Sequence, residues 1–384
     1  MEKTTAIKRL NGDSLHTPPS LTYLPFDIIR ETILCRLPVK SLLRFRCVCK
    51  SWNHLISKDF KFAKTHFRLS TKRHHLITTR WKWNLSKELA IISHPLDSIP
   101  LHSILTSKGT QLDFSPIIIQ WYWEGLIGSC DDLLCFVVNK RAFLYNPCIR
   151  KAKELPSLEI SPEIYNALGY AFGYDPFIDN YIVICYFCSD VQYNDCKGQV
   201  KVHTLGTDSW RRIKDSPSKL LYRERGIFLS GTVNWLAYYN TNDFNYLTVI
   251  VSLHLGKESF QEIPTPEYGN INNVLNFSVM RDCLCIFSRH YLESSTDVWL
   301  MKEYGNKDSW IKLICLPYFG DSSGVFTRIL YISEDNNHVL LVFKELGKSK
   351  WVVYDCKNDI ITSSKIEELS LVESNVYVES LISP

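Results

Sequence analysis

A small all-α segment followed by an all-β propeller is the fold class this 384-residue chain predicts. Three observations carry it. Residues 22–66 hold apolar side chains at helical spacing, punctuated by two Leu-Pro pairs. From about residue 67 short apolar runs alternate with turn signals, the pattern of strands. A strand–turn–strand phrase then recurs roughly every 47–60 residues, the interval of one propeller blade.

The bulk numbers fit two domains. Domains run about 50–250 residues, so a chain of this length divides naturally in two. Aromatics make up 13% of the residues, which suits pleated, half-buried surfaces. With 44 basic against 40 acidic residues, the net charge is only +4. A protein working on phosphate backbones carries a larger and more clustered surplus, so no nucleic-acid partner is expected. No apolar run approaches the ~20 residues that cross a bilayer, and the first residues lack an apolar signal core. Thirteen scattered cysteines, an odd number, do not form a disulfide framework. The expectation is therefore no membrane and a reducing cytoplasmic or nuclear compartment.

Residues 1–20 are polar, contain Pro18-Pro19, and read as a disordered leader. Leu24-Pro25 opens a helix, with proline where its missing N–H costs nothing. Ile28, Ile29, Thr32 and Ile33 follow at helical spacing, and Leu37-Pro38 stops the run. A second stretch starts at Val39 and presents Leu42, Leu43 and Arg46 along one side. Phe45, Val48, Cys49, Trp52 and Ile56 form one further stripe. So few residues bury little surface alone, and the unit has more apolar side chains than its own core can hide. Either a partner protein or the rest of this chain covers the excess. Lys40, Arg44, Arg46 and Lys50 interleave with these positions, so they read as the rim of a docking face and not as a nucleic-acid strip.

The stretch "LPFDIIRETILCRLPVKSLLRFRCVCKSWNHLI" resembles an F-box: Leu-Pro at the entry, a second Leu-Pro, and a helix closing on Val48-Cys49-Lys50-Ser51-Trp52. The resemblance implies an F-box over residues 21–66 that docks on a Skp1-like adaptor, and through it on cullin and RING subunits. Carried over position by position, the contact residues are Leu24, Pro25, Ile28, Leu34, Pro38, Val39, Leu42 and Leu43. Trp52 is expected to pack the helices together.

In the body, "LGTDSW" (205–210), "LGKESF" (255–260) and "YGNKDSW" (304–310) repeat one phrase, with "YNPCIRKAKELP" and "YDCKNDIITSSKI" as looser copies. Each reads as strand, polar turn and strand, with the aromatic or apolar residue after the turn packing inward. A second pair of strands precedes each phrase, giving four strands per unit. Five units are legible and residues 67–125 supply a degenerate sixth. The final "NVYVESLISP" reads as the strand that completes the first blade and removes an open edge. Six blades are favoured, with five or an irregular ring as the alternatives. This region resembles the F-box-associated domain of plant F-box proteins, including the S-locus F-box group. That likeness implies a kelch-like substrate-binding propeller over residues 67–384. One departure is visible: Asp131-Asp132 stands where the family usually has Asn-Gly, which leaves that turn's type open.

Other constellations are weighed against structural roles. Cys185 and Cys188 have C-x-x-C spacing, but residues three apart on a strand face opposite ways. Cys283 and Cys285 share a face and read as packed thiols. His74, His75 and His290 have no ligand cluster around them in sequence and read as surface or hydrogen-bonded histidines. Asp131, Asp175 and Asp282 could in principle form a carboxylate pair, but acids at turns normally serve the turn. No cofactor, metal site or catalytic group is expected. Aromatics near loops are the candidate client contacts: Trp121, Tyr122 and Trp123, then Tyr238 and Tyr239, then Tyr318 and Phe319. The implied function is substrate recognition in a Skp1–cullin–F-box ubiquitin ligase. The alternatives are a non-degradative Skp1-binding scaffold and a propeller enzyme with a vestigial F-box.

Overall fold

The computed structural model describes residues 24–82, 88–96, 109–112, 123–138, 140–158, 168–188, 198–213, 215, 220–222, 225–240, 246–266, 274–290, 295–317, 325–333, 335–345, 348–363 and 373–384. The expected leader lies outside them. Pro25, at φ −53°, sets the first helical run. α1 (Phe26–Ile28) continues through a wide turn at Ile29–Ile33 and a tight one at Leu34–Arg36. α2 (Val39–Phe45), α3 (Lys50–Lys58) and α4 (Phe60–Leu69) follow. The helical unit thus runs three residues past the expected end at 66.

One expected stripe is corrected. Phe45, Val48, Cys49, Trp52 and Ile56 do not share a helix, because α2 ends at Phe45 and Cys49 is fully extended at φ −158°. Val48 is consequently exposed. Trp52 still packs helix on helix, its ring 5.6 Å from that of Phe45. Asp59 starts α4 by accepting the Phe62 N–H at 2.9 Å.

Six antiparallel sheets follow. Blade 1 holds β1 (His74–Lys82), β2 (Glu88–Pro95) and β3 (Thr110–Leu112). Blade 2 holds β4 (Trp123–Cys130), β5 (Leu133–Val138), β6 (Arg141–Asn146) and β7 (Lys151–Glu154). Blade 3 holds β8 (Leu168–Asp175), β9 (Asn180–Cys188), β10 (Gly198–Thr204) and β11 (Arg211–Arg212). In blade 4 the inner strand is broken into β12 (Leu220–Tyr222) and β13 (Ile227–Leu229). Both pair with β14 (Thr232–Asn240), which leads to β15 (Tyr246–His254) and β16 (Ser259–Ile263). Blade 5 holds β17 (Val274–Met280), β18 (Cys283–His290), β19 (Ser295–Met301) and β20 (Trp310–Pro317). Blade 6 holds β21 (Val325–Ile332), β22 (His338–Glu345), β23 (Lys348–Asp355) and β24 (Ile360–Ser363). Finally β25 (Glu373–Val378) returns to pair with β1, His74 opposite Val378, and becomes the inner strand of blade 1. The closing strand read from the sequence is in place, and no five-bladed or irregular count is needed.

The recurring phrases have a physical basis. Tyr-Asn and Tyr-Asp ends of strands carry a side chain that ties the next turn. Asn146 Oδ1 accepts from the amides of Cys148 and Ile149 at 2.8 and 3.1 Å. Asp355 Oδ1 accepts from Lys357 and Asn358 at 3.0 and 3.1 Å, and Asp175 Oδ1 from Phe177 at 2.9 Å. The tryptophans after the turns reach the preceding blade. Trp210 Nε1 donates to Pro156 O at 2.8 Å, and Trp310 Nε1 to Pro264 O at 2.9 Å. Their position in the repeat therefore fixes one blade against its neighbour. Buried clusters fill the seams between successive blades, for example Ile184 with Trp235 between blades 3 and 4, and Leu236 with Ile286 between blades 4 and 5.

Asp131 and Asp132 settle the open turn: both have positive φ, at 48° and 74°, as a type I′ hairpin turn requires. Their side chains do more than turn the chain. Asp131 Oδ2 accepts from Tyr181 Oη at 2.8 Å, joining blades 2 and 3. Asp132 Oδ2 accepts the Ser380 amide at 2.9 Å, and Ser380 Oγ donates to Asp131 O at 2.7 Å. Asn146 Nδ2 holds Ile382 O at 2.7 Å. The segment after β25 is thereby pinned, with Leu381 and Ile382 buried. Burial pushes both aspartates above the ordinary carboxylate range.

Candidate functional site

The helical unit sits on the side of the ring where the inner hairpins turn. Leu34, Leu42 and Phe62 belong to one continuous core with Leu133, Tyr181 and Ile382. Lys64 Nζ reaches Asp179 in the β8–β9 turn, 2.6 Å from Oδ1 and 2.8 Å from the carbonyl oxygen, and lies 4.9 Å over the Tyr174 ring. Within the unit, Arg30 pairs with Asp59 at 3.3 Å and His66 Nε2 bonds Leu37 O at 2.7 Å. Burial lowers the His66 pKa, so its neutral ring is the native form.

That seat divides the expected adaptor contacts. Leu24, Pro25 and Ile28 are exposed, while Pro38 and Leu43 are half-buried. Leu34, Val39 and Leu42, expected as contacts too, are buried in the chain's own core in this conformation. The physical reason is that the turn at Leu34–Arg36 packs on α4 and α2 packs on α3, within a core that continues into the propeller. Sequence spacing alone does not reveal which positions that core takes. Ile33 and Val48, which the sequence reading placed among the apolar positions, are also exposed, as is Phe26, which that reading passed over. The signal for Phe26 was its place directly after Leu24-Pro25, one position from Asp27 on the outer side of the first turn. Lys40, Arg44 and Lys50 are exposed and Arg46 is half-buried.

The expected client aromatics fall largely outside the described residues: Trp121, Tyr122, Tyr318 and Phe319 all do. The backbone of the rest is placed. Trp123 is the first residue of β4, and Tyr238 and Tyr239 lie near the end of β14. β20, which precedes residue 318, ends at Pro317. β4 runs toward the 131–132 turn on the helix side and β14 runs away from the equivalent turn at 230–231. All three strand ends therefore open on the side of the ring opposite the helices.

Other candidates have structural roles. Cys185 and Cys285 are buried, and burial pushes the Cys285 thiol above its ordinary range. Cys188 and His290 lie in strands whose side chains there are outside the description. Asp175 serves its turn and Asp282, at φ 55°, is exposed. His75 is a hydrogen-bonded histidine: Nε2 is 3.0 Å from Glu379 Oε1, Nδ1 is 3.1 Å from Ser93 Oγ, and the ring stacks on Tyr377 at 5.2 Å. Among the described residues no group of three or more His, Cys, Asp or Glu side chains is arranged to hold a metal.

Comparison with known proteins agrees with this division. Residues 21–64 match the F-box domain family, and residues 97–384 match the family described as F-box associated beta propeller domain. F-box/kelch-repeat protein At3g23880 of Arabidopsis thaliana is 29% identical over 371 residues, covering 94% of this chain and 96% of that protein. F-box protein CPR1 of Arabidopsis thaliana is also 29% identical, covering 94% of this chain and 88% of that one. With its helices matched to one family and its ring to the other, the chain belongs to the F-box proteins that carry an F-box associated beta propeller domain.

Proposed function

We propose that this chain is the substrate-recognition subunit of a Skp1–cullin–F-box ubiquitin ligase. One observation carries the reading: Leu24, Phe26, Ile28 and Ile33 remain exposed on a helical unit whose other side is sealed against the propeller. An exposed apolar surface on a helical unit that also exposes Lys40, Arg44 and Lys50 fits a partner with an apolar groove and acidic side chains, the part a Skp1-like adaptor would play. The propeller would then hold a protein client on the side away from the helices. Its contribution is proximity, since holding a client lysine near a charged conjugating enzyme raises its effective concentration without chemistry by the receptor.

Co-purification from cells tests this. The adaptor and cullin should accompany the native chain, and a bound client should accumulate when the proteasome is blocked. Leu24→Asp with Pro25→Ala should lose the adaptor while the ring keeps its melting temperature. Undiminished adaptor binding by that variant refutes the docking face. A client whose lifetime does not depend on this chain refutes the degradative role and favours the scaffold.

A further inference from the structure

Five inner hairpins turn on the side of the ring that carries the helices, and four of those turns are polar: Asp131-Asp132, Ser230-Gly231, Arg281-Asp282 and the run from Ser333 to Asn337. The fifth, between β8 and β9, is Pro176-Phe177-Ile178-Asp179. Phe177 is 56% exposed and Ile178 52%. The turn itself needs neither apolar side chain. Asp175 ties it by accepting the Phe177 N–H at 2.9 Å, and Asp179 completes it at φ 51°. The Phe177 ring is also held from beneath. It lies against the turns of blade 4, where a Cβ on Gly231 or on Gly256 would meet it at 2.9 Å, and its centroid is 5.1 Å from that of His254. An aromatic ring fixed by backbone on one face and bare on the other loses little freedom on meeting a partner.

This is also a turn that α4 grips. Lys64 Nζ, bonded to Asp179 Oδ1 at 2.6 Å, lies 4.7 Å over the ring of Phe60, which is 40% exposed. Phe60 follows Asp59, and Asp59 pairs with Arg30 at 3.3 Å. Phe26 and Ile33, both exposed, stand one turn to either side of Arg30 on the first helical run. The apolar surface of that run therefore continues, by way of two ion pairs, across the start of α4 and onto the propeller. Charge is distributed to match. Residues 24–69 carry ten basic side chains against three acidic ones, in a chain with 44 against 40, so the rest of the chain is acidic on balance. Lys58 and Lys61, on either side of Phe60 in sequence, are exposed.

We propose that the adaptor's footprint extends past the first helix to Phe60, Phe177 and Ile178, so that a Skp1-type adaptor binds helices and propeller at once. The inference rests on the adaptor reading above and adds the propeller's share of the surface. Its occupant is an acidic segment with apolar side chains, belonging to the protein that covers Phe26 and Ile33. A client held on the side of the ring away from the helices leaves this patch bare. A second copy of the chain would bring the same positive surplus against itself.

Amide hydrogen exchange of the full chain, with and without a purified Skp1-type adaptor, reads this surface directly. The adaptor should slow exchange in the β8–β9 turn as well as in the first helix. Phe177→Ser with Ile178→Asn, residues that suit a turn, should weaken adaptor binding about tenfold at an unchanged melting temperature. Phe177→Leu with Ile178→Val keeps the apolar surface and should bind within threefold of the native chain. A first helix protected by adaptor beside a turn that exchanges as in the free chain overturns the extended footprint and leaves the adaptor reading standing. So does a Ser–Asn variant that folds and binds within twofold. A native chain that binds no adaptor overturns both readings. Turn protection that rises with the concentration of the chain alone marks a second copy at this patch and overturns the assignment. The exchange is read on the native chain, so it decides the matter even where a variant fails to fold.

Discussion

Removing two exposed side chains, Leu24→Ala with Ile28→Ala, should weaken adaptor binding about 30-fold without moving the melting temperature. The magnitude follows from exposure. Fully burying a Leu or Ile side chain contributes roughly 2 kcal/mol. Leu24 is 58% exposed and Ile28 45%, so covering what remains contributes about 1.2 and about 0.9 kcal/mol at that rate. The sum of about 2 kcal/mol is about 30-fold in Kd, at about 1.4 kcal/mol per tenfold. Leu42→Ala is the control. Leu42 is 0% exposed, so its truncation opens a cavity costing about 2–5 kcal/mol of stability. Titration calorimetry of the full chain against a Skp1-type adaptor, with thermal melts of each variant, separates the two effects. The reasoning fails if the double variant binds within twofold of the native chain. It also fails if Leu42→Ala loses binding with its melt unchanged, since Leu42 would then be a contact residue after all.

Two further predictions concern pH. Burial lowers the His94 pKa from 6.5 to about 4, with its ring edge-on to Trp351 at 5.0 Å across the seam of blades 1 and 6. Between those values the unfolded chain binds a proton that the native ring refuses, so stability complete above pH ~6.5 should fall by about 3 kcal/mol as pH drops to 4; His94→Gln should flatten that part of the melting profile, and an unchanged slope refutes the assignment. Asp132 has the opposite sign, because burial raises its pKa and its stabilising protonated form is lost as pH rises. Asp132→Asn keeps an acceptor for the Ser380 amide, so it should raise the melting temperature more at pH 8 than at pH 4; an equal gain at both refutes a charge effect.

The ring was legible because each blade repeats its own punctuation. Trp210 and Trp310 follow equivalent turns and make equivalent bonds to Pro156 and Pro264, so one physical need wrote the same phrase twice. The closing strand was legible because an unpaired β1 edge demanded a partner. The exposed surface of the helices was legible only in part. Helical spacing identifies Leu34, Val39 and Leu42 as apolar positions, as it does Leu24 and Ile28. What separates the two sets is burial: Leu34, Val39 and Leu42 belong to a core that also takes in Leu133, Tyr181 and Ile382, far along the chain. The same long range hid His75 with Glu379, and Lys64 with Asp179. Asp131-Asp132 looked like a weakened turn. Its side chains instead tie Tyr181 and Ser380, bonds that Asn-Gly would supply only in part.

The pairing of His74 with Val378 sets an order of events during synthesis. At a translation rate of about 5–20 residues per second, β1 leaves the ribosome roughly 15–60 s before β25 can reach it. Through that interval the nascent blade shows an unmatched edge, and the helices lack Leu381 and Ile382 beneath them. A chain stalled or cut short within its last dozen residues would thus present five complete blades, an open edge on the first, and helices lacking part of their floor.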